Sequence, residues 1–205
     1  MGKIKEDNYH HGNLRQALLD LAESQLLQTR AQDLSLRALA KEIGVSQTAP
    51  YRHFADKNAL LTALATKGYL SLSEKMIRAQ NKKKLDPIEK LRAASKAYID
   101  YSINNPEMFK NMFSQILVPY SKSPKLLSAT ILSFFIIHDI MQEGIKQGIF
   151  RSINAEALSN AAWVVVHGIA TLKHDRAELF DRKIIDLNIQ FDLSFDIFIR
   201  GIIKN

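Results

Sequence analysis

Residues 34–58 read LSLRALAKEIGVSQTAPYRHFADKN, two short helical segments joined by Ile43-Gly44-Val45 with a capping residue ahead of each. Ser35 is placed to cap the first segment, in which Leu36, Leu39, Ala40 and Ile43 recur at helical spacing. Gly44 ends it, because a residue at that turn needs a left-handed backbone that glycine adopts without a Cβ penalty. Val45 then drops toward the core, and Ser46 restarts the chain as the next cap. The second helix is expected over Gln47 to Phe54 and turns Gln47, Thr48, Tyr51, Arg52 and His53 outward, all of them hydrogen-bond donors. This is the outline of a helix-turn-helix, whose second helix reads base edges in a DNA major groove. An ordinary polar surface turn is the alternative reading of the same residues.

Working outward, Asn13 to Thr29 places Leu14, Leu18, Leu21, Ala22 and Leu26 at helical spacing and supplies a supporting first helix. Downstream, Asp56 caps a longer helix running to about Arg78. Lys57 falls in its first turn, a poor site for a cation beside the helix dipole unless a phosphate lies nearby. Residues 81–87, NKKKLDP, form a basic linker ended by proline, giving a division into 1–56 (reading domain), 57–80 (connecting helix) and 86–205 (helical body). In the body, Asp86-Pro87-x-Glu89, Asn105-Pro106 and Ser123-Pro124 are helix-start signals. Helices follow at Ile88 to Ile103, Pro106 to Gln115, Lys125 to Gln147 (ended by Gly148), Ala155 to Lys173 (capped by Asn154), and from Asp181 to about Ile203. Ile131 to Met141, apolar on nearly every side, reads as a buried central helix. The fold class is all-α, with about nine helices.

The 205 residues are 46% hydrophobic and 24% charged, ordinary for a globular chain. Cysteine is absent, which removes disulfides, thiolate chemistry and cysteine-bound zinc together. The net charge of +7 suits a polyanionic partner. It is spread along the chain, with 11 Lys and Arg against 8 Asp and Glu in residues 1–80 and 17 against 13 thereafter, so motif geometry carries the argument. Met1 to Asn8 is polar and no run of about 18 apolar residues stands out, so a soluble, cytoplasmic protein with no membrane partner is expected. No cofactor is implied, and His138, His167 and His174 show no metal-ligand spacing.

Gly44-Val45-Ser46, Tyr51-x-His53-Phe54 and Asp56-Lys57-x-x-Leu60-Leu61 resemble the recognition region of TetR-type transcriptional regulators. Tyr9-His10-His11-Gly12-Asn13-Leu14-Arg15 and Trp163-x-x-x-His167-Gly168 extend the resemblance to a subgroup of that family. The resemblance implies base-edge contacts for Gln47, Thr48 and Ala49, phosphate contacts for Tyr51 and His53, and a backbone contact for Lys57. Arg37 occupies a position that also reaches a base, and Ser46 and Arg52 complete the DNA-facing set. Pro50 departs from the aliphatic residue common in the family and leaves the helix onset open.

A ligand cavity for an unidentified small-molecule effector is expected among Phe109, Met112, Phe113, Phe134, His138, Met141, Trp163 and His167, although core packing explains the same residues. His167-Gly168 also reads as a packing or dimer-contact position. From Ile184 on, Leu187, Phe191, Phe195, Phe198 and Ile202 form one stripe, while Ile185, Ile189, Leu193, Ile197 and Ile203 cover others. A helix this apolar needs a second covering surface. By resemblance that surface is a homodimer through the last two helices, with small Ala161, Ala162, Gly168 and Ala170 allowing close contact. The expected function is a ligand-released repressor that binds an inverted repeat in double-stranded DNA as a dimer. Two alternatives stand beside it: a regulator without a small-molecule effector, and a helical enzyme, for which no nucleophile, phosphate loop or metal motif is visible.

Overall fold

The computed structural model describes residues 14–81 and 84–204; the Tyr9–Asn13 part of the N-terminal motif and Lys82-Lys83 of the basic linker lie outside them. The described residues form nine α-helices: α1 Leu14–Gln25, α2 Leu36–Ile43, α3 Lys57–Gln80, α4 Pro87–Asn104, α5 Pro106–Met112, α6 Pro124–Lys146, α7 Ala155–Asp175, α8 Ala177–Asp181 and α9 Leu187–Ile202. Among the described residues the β-type pairing is a single antiparallel bridge, Phe150 with Ile203. The all-α expectation holds.

Two compact units emerge, one from residues up to Gly68 together with Glu107–Leu127, the other from Tyr69–Pro106 with Ser128 onward. In the first, Leu18, Leu19, Ala22, Leu26, Leu34, Leu36, Leu39, Phe54, Leu60, Leu61 and Leu64 are buried. Lys67 on α3 reaches Asp20 (2.8 Å) and Glu23 (2.5 Å) on α1. The Lys67 ammonium holds the Asp20 carboxyl below its usual range, although the exposure of both groups keeps this tie weak. The segment 107–127 joins the same unit through polar contacts to α3. The carboxamide of buried Asn111 donates to the Leu61 carbonyl at 2.9 Å, and the Val118 N–H donates to Thr62 Oγ1 at 2.9 Å.

In the second unit α7 packs against α4 and α9. Asp86 and Glu89 form the expected capping box at the start of α4. Arg92 on α4 binds Asp192 (2.7 Å) and Asp196 (2.5 Å) on α9 and lies over the Phe195 ring at 4.3 Å. The last helix starts later than expected. Asp181 ends α8 and pairs with Lys173, the backbone turns through a left-handed Lys183, and Asp186 is the residue that caps α9 by accepting from the Asn188 and Ile189 N–H groups.

The expectation of a buried central helix also needs correction. On α6, Leu126, Ala129, Ile136, Ile137, Ile140 and Met141 are buried, whereas Ile131, Leu132 and Phe135 are exposed. By length and mean hydropathy (1.3) this helix is apolar enough to cross a membrane, contrary to the reading that no such run exists, but one such helix is equally what a protein core supplies.

Candidate functional site

The helix-turn-helix region is built by local backbone chemistry. Ser35 Oγ accepts from the Ala38 N–H at 3.5 Å, capping α2 as its position demands. At the far end Gly44 adopts φ 82° and ψ 25°, so that the Val45 N–H folds back onto the Ala40 carbonyl at 3.0 Å. An added Cβ at Gly44 would meet nothing within 4 Å. Gly44→Ala is therefore expected to cost about 1–2 kcal/mol from conformation alone, checked by a chemical-denaturation midpoint that falls with unchanged m-value.

The second segment differs from expectation in kind. Instead of an α-helix over Gln47 to Phe54, Ala49–Arg52 form a 3-10 turn, with Tyr51 N–H bonded to the Thr48 carbonyl (3.2 Å) and His53 N–H to the Pro50 carbonyl (2.9 Å). Pro50 is the physical reason. It has no N–H for the Ser46 carbonyl four residues back, and its ring disfavours α geometry at Ala49. Ser46 does not cap through its side chain; its hydroxyl lies 3.2 Å from that of Thr48. Pro50 and Phe54 are buried and anchor the segment, with Arg15 of α1 over the Phe54 ring at 5.2 Å.

The side chains expected to turn outward do so. Arg37, Ser46, Gln47, Thr48, Tyr51, Arg52 and His53 are exposed, and Ala49 is half-buried. Lys57 is half-buried, and its Nζ donates to the Gln32 carbonyl, so it also ties α3 to the turn before α2. Asp56 caps α3 through the Ala59 N–H at 2.8 Å. From Ser46 to His53 the result is a ridge of exposed donors that holds Arg52 and no carboxylate, with Arg37 exposed on α2.

The residues read as a pocket fall into both units. Phe109 and Met112 are buried and Phe113 half-buried in the first, with the two rings 4.9 Å apart. In the second, Met141 is fully buried, and Phe134, Phe135 and His138 form a ring cluster on α6, His138 stacking on Phe134 at 6.3 Å. Trp163 and His167 belong to another cluster: they line an open groove of about 540 Å³ along α7 with Val164, Gly168, Thr171, Leu172, Asp175 and Arg176.

Sequence reasoning missed Tyr98. Its hydroxyl, buried on α4, lies 2.9 Å from His167 Nδ1, sixty-nine residues away in the chain. Nothing local signals that pairing. The last helix, by contrast, sorts as its stripes suggested: Phe191, Phe195 and Ile202 are buried, while Ile189, Leu193 and Ile197 are 68%, 55% and 63% exposed.

Comparison with known proteins agrees with this architecture. Residues 18–64 match the family described as "Bacterial regulatory proteins, tetR family", and residues 91–188 match "Tetracyclin repressor-like, C-terminal domain". The HTH-type transcriptional regulator Rv1816 of Mycobacterium tuberculosis is 27% identical over 139 residues, 65% of this chain and 58% of that protein, so the match spans less than two thirds of that relative. A Rhodococcus sp. RHA1 protein of unknown function is 32% identical, with 97% of this chain and 100% of that one covered and a TM-score of 0.84. FadR of Bacillus subtilis, solved with stearoyl-CoA, shares the fold at 16% identity and a TM-score of 0.70, over 91% of this chain and 98% of that one. The chain belongs to the TetR family of bacterial regulatory proteins.

Proposed function

We propose that this protein is a homodimeric, sequence-specific DNA-binding transcriptional regulator, a repressor released by a small-molecule effector. The observation that carries the DNA-binding reading is the exposed donor ridge from Ser46 to His53, held by the left-handed Gly44 and the buried Pro50 and Phe54. Gln47 and Thr48 suit base edges, whose donor and acceptor patterns differ between base pairs, while Tyr51, Arg52 and His53 suit phosphates. Arg37 and Ala49 extend the base-facing set.

Dimerisation is supported by the unpartnered apolar residues of adjacent helices, Val164 and Leu172 on α7 and Ile189, Leu193 and Ile197 on α9. The α9 residues recur every four positions and form a ridge; the α7 residues flank the groove floored by Gly168. A ridge beside a groove on one chain is what a two-fold, isologous contact requires. Two reading heads in successive major grooves on one face of DNA must stand one duplex turn apart, about 34–36 Å, so the operator is an inverted repeat.

The effector reading rests on the aromatic clusters Phe109–Phe113 and Phe134–His138 with Met112 and Met141, apolar surface with few polar groups. That FadR was solved with an acyl-CoA is a fact about FadR. For this chain the effector is tested by linkage: DNA must weaken ligand affinity by whatever factor the ligand weakens DNA affinity. Equal ligand affinity with and without operator would leave a DNA-binding regulator governed otherwise.

The DNA reading is tested by recovering sequences from a random duplex pool and measuring affinity against salt. Gln47→Ala is expected to relax preference at one or two positions, at a cost of roughly 1–3 kcal/mol on the selected site. Arg52→Ala is expected to weaken all duplexes alike and to lower the salt slope by about one. Recovery of no enriched sequence would overturn the reading.

A further inference from the structure

One face of α6 carries a pattern that neither the donor ridge nor the α7–α9 contact uses. Ser128, Ile131, Leu132, Phe135 and Asp139 are exposed along it, while Ile136, Ile137, Ile140 and Met141 are buried on the opposite side. The helix runs unbroken from Pro124 to Lys146, so helical geometry alone places these side chains relative to one another. The Phe135 ring is held in place, 6.0 Å from the Phe134 centroid and 5.3 Å from that of His138. Three large apolar side chains contiguous on an exposed helix face mark a contact surface rather than scattered surface hydrophobes.

The charges identify what covers it. Lys125, Leu132 and Asp139 stand seven residues apart, and Lys125 and Asp139 are exposed. Seven residues fall only about 20° short of two full turns, so the three lie along one edge of the face, with opposite charges at equal distances on either side of the leucine. Such a strip is complementary to itself turned end for end. In an antiparallel pair Leu132 meets Leu132 of the second copy, each Lys125 meets an Asp139, and small Ser128 lies opposite Phe135. A parallel pair would set lysine on lysine and aspartate on aspartate. A partner of one charge would satisfy one end of the strip and oppose the other. Beyond Asp139 the exposed residues turn polar, with Gln142 and Lys146, so the apolar surface ends where the antiparallel overlap would end.

We infer that α6 pairs antiparallel with α6 of a second copy of this chain, about a two-fold axis beside Leu132, through Ile131, Leu132 and Phe135 and two reciprocal Lys125–Asp139 ion pairs. This is an isologous contact, in which residue i meets j and j meets i. Exposed ion pairs are individually weak, and here they set direction and register more than affinity. The strip is short for an independent interface. It therefore acts on copies that the α7–α9 contact has already brought together, and in that respect it rests on the homodimer reading above.

The chain has no cysteine, so one introduced thiol reports one position. Full-length Leu132→Cys, oxidised with copper phenanthroline, is expected to give a disulfide-linked dimer, because Cα atoms facing each other at the axis come within about 4.4–6.8 Å. Gln142→Cys is exposed on the same face but lies about 30 Å from its counterpart in this register, and is expected to remain unlinked. Lys125→Cys and Asp139→Cys, each about 21 Å from its own counterpart, are expected to link when co-expressed and not alone. Lys125→Glu in the Leu132→Cys background should slow linkage about fivefold or more, and adding Asp139→Lys should restore it. All the substituted side chains are exposed, and circular dichroism confirms folding. A chain that sediments as a dimer, yet links no faster through Leu132→Cys than through Gln142→Cys, overturns the α6 pairing and spares the homodimer. Self-linkage of Lys125→Cys overturns the antiparallel register. A monomer that forms no disulfide overturns both readings.

Discussion

Leu193→Glu is expected to convert the protein to a folded monomer and to reduce operator affinity by roughly 10²–10⁴-fold, the advantage that tethering two reading heads confers. Leu193 is 55% exposed in the single chain, so the substitution leaves the core alone and should change monomer stability by no more than about 0.5 kcal/mol. In a dimer the same carboxylate would be buried without a partner, beside Asp192 and Asp196, at a cost of several kcal/mol per copy. Phe195→Glu and Ala162→Asp provide the contrast. Both residues are buried within the chain at 4% exposure, so those charges should unfold the protein before assembly is reached. Sedimentation with circular dichroism separates the outcomes: a Leu193→Glu protein that remains a tight dimer would move the interface off the α7–α9 face.

Gly144→Ala should cost about 2 kcal/mol or more and lower Tm by roughly 5–10 °C, despite alanine's better helix propensity. A Cβ at position 144 would stand 2.1 Å from Cδ2 and 2.3 Å from Cε2 of Phe150. That ring is 1% exposed and cannot withdraw. Its own N–H bonds the Gly144 carbonyl at 3.1 Å, and the flanking Arg151 and Ile149 are tied to Ile202 and Lys204. Gly168 behaves oppositely, because an added Cβ there meets nothing within 4 Å of the same chain. In the monomeric Leu193→Glu background Gly168→Ala should raise Tm by a few degrees. Thermal melts showing Gly144→Ala unharmed would mean that α6 and the Phe150 turn part more easily than this packing allows.

What the sequence by itself determined about this protein is what depends on neighbours in the chain. Ser35, Gly44, Asp56, Asp86 and Asn154 act where their spacing placed them, because caps and left-handed turns are satisfied within about four residues. The exposure of Gln47, Thr48, Tyr51, Arg52 and His53 was legible for the same reason. Where local signals competed, the reading slipped: Pro50 tightened an expected α-helix into a 3-10 turn, and Asp186 took the capping role assigned to Asp181. Only the tertiary structure decided which apolar stripe faces inward. Phe195 and Leu193 are alike to a hydropathy scale, and it is the packing of α9 on α7, with Arg92 laid over Phe195, that buries one and leaves the other exposed. The Tyr98–His167 bond likewise joins helices 69 residues apart, and a hydrogen bond between distant residues leaves no periodicity in the chain to read.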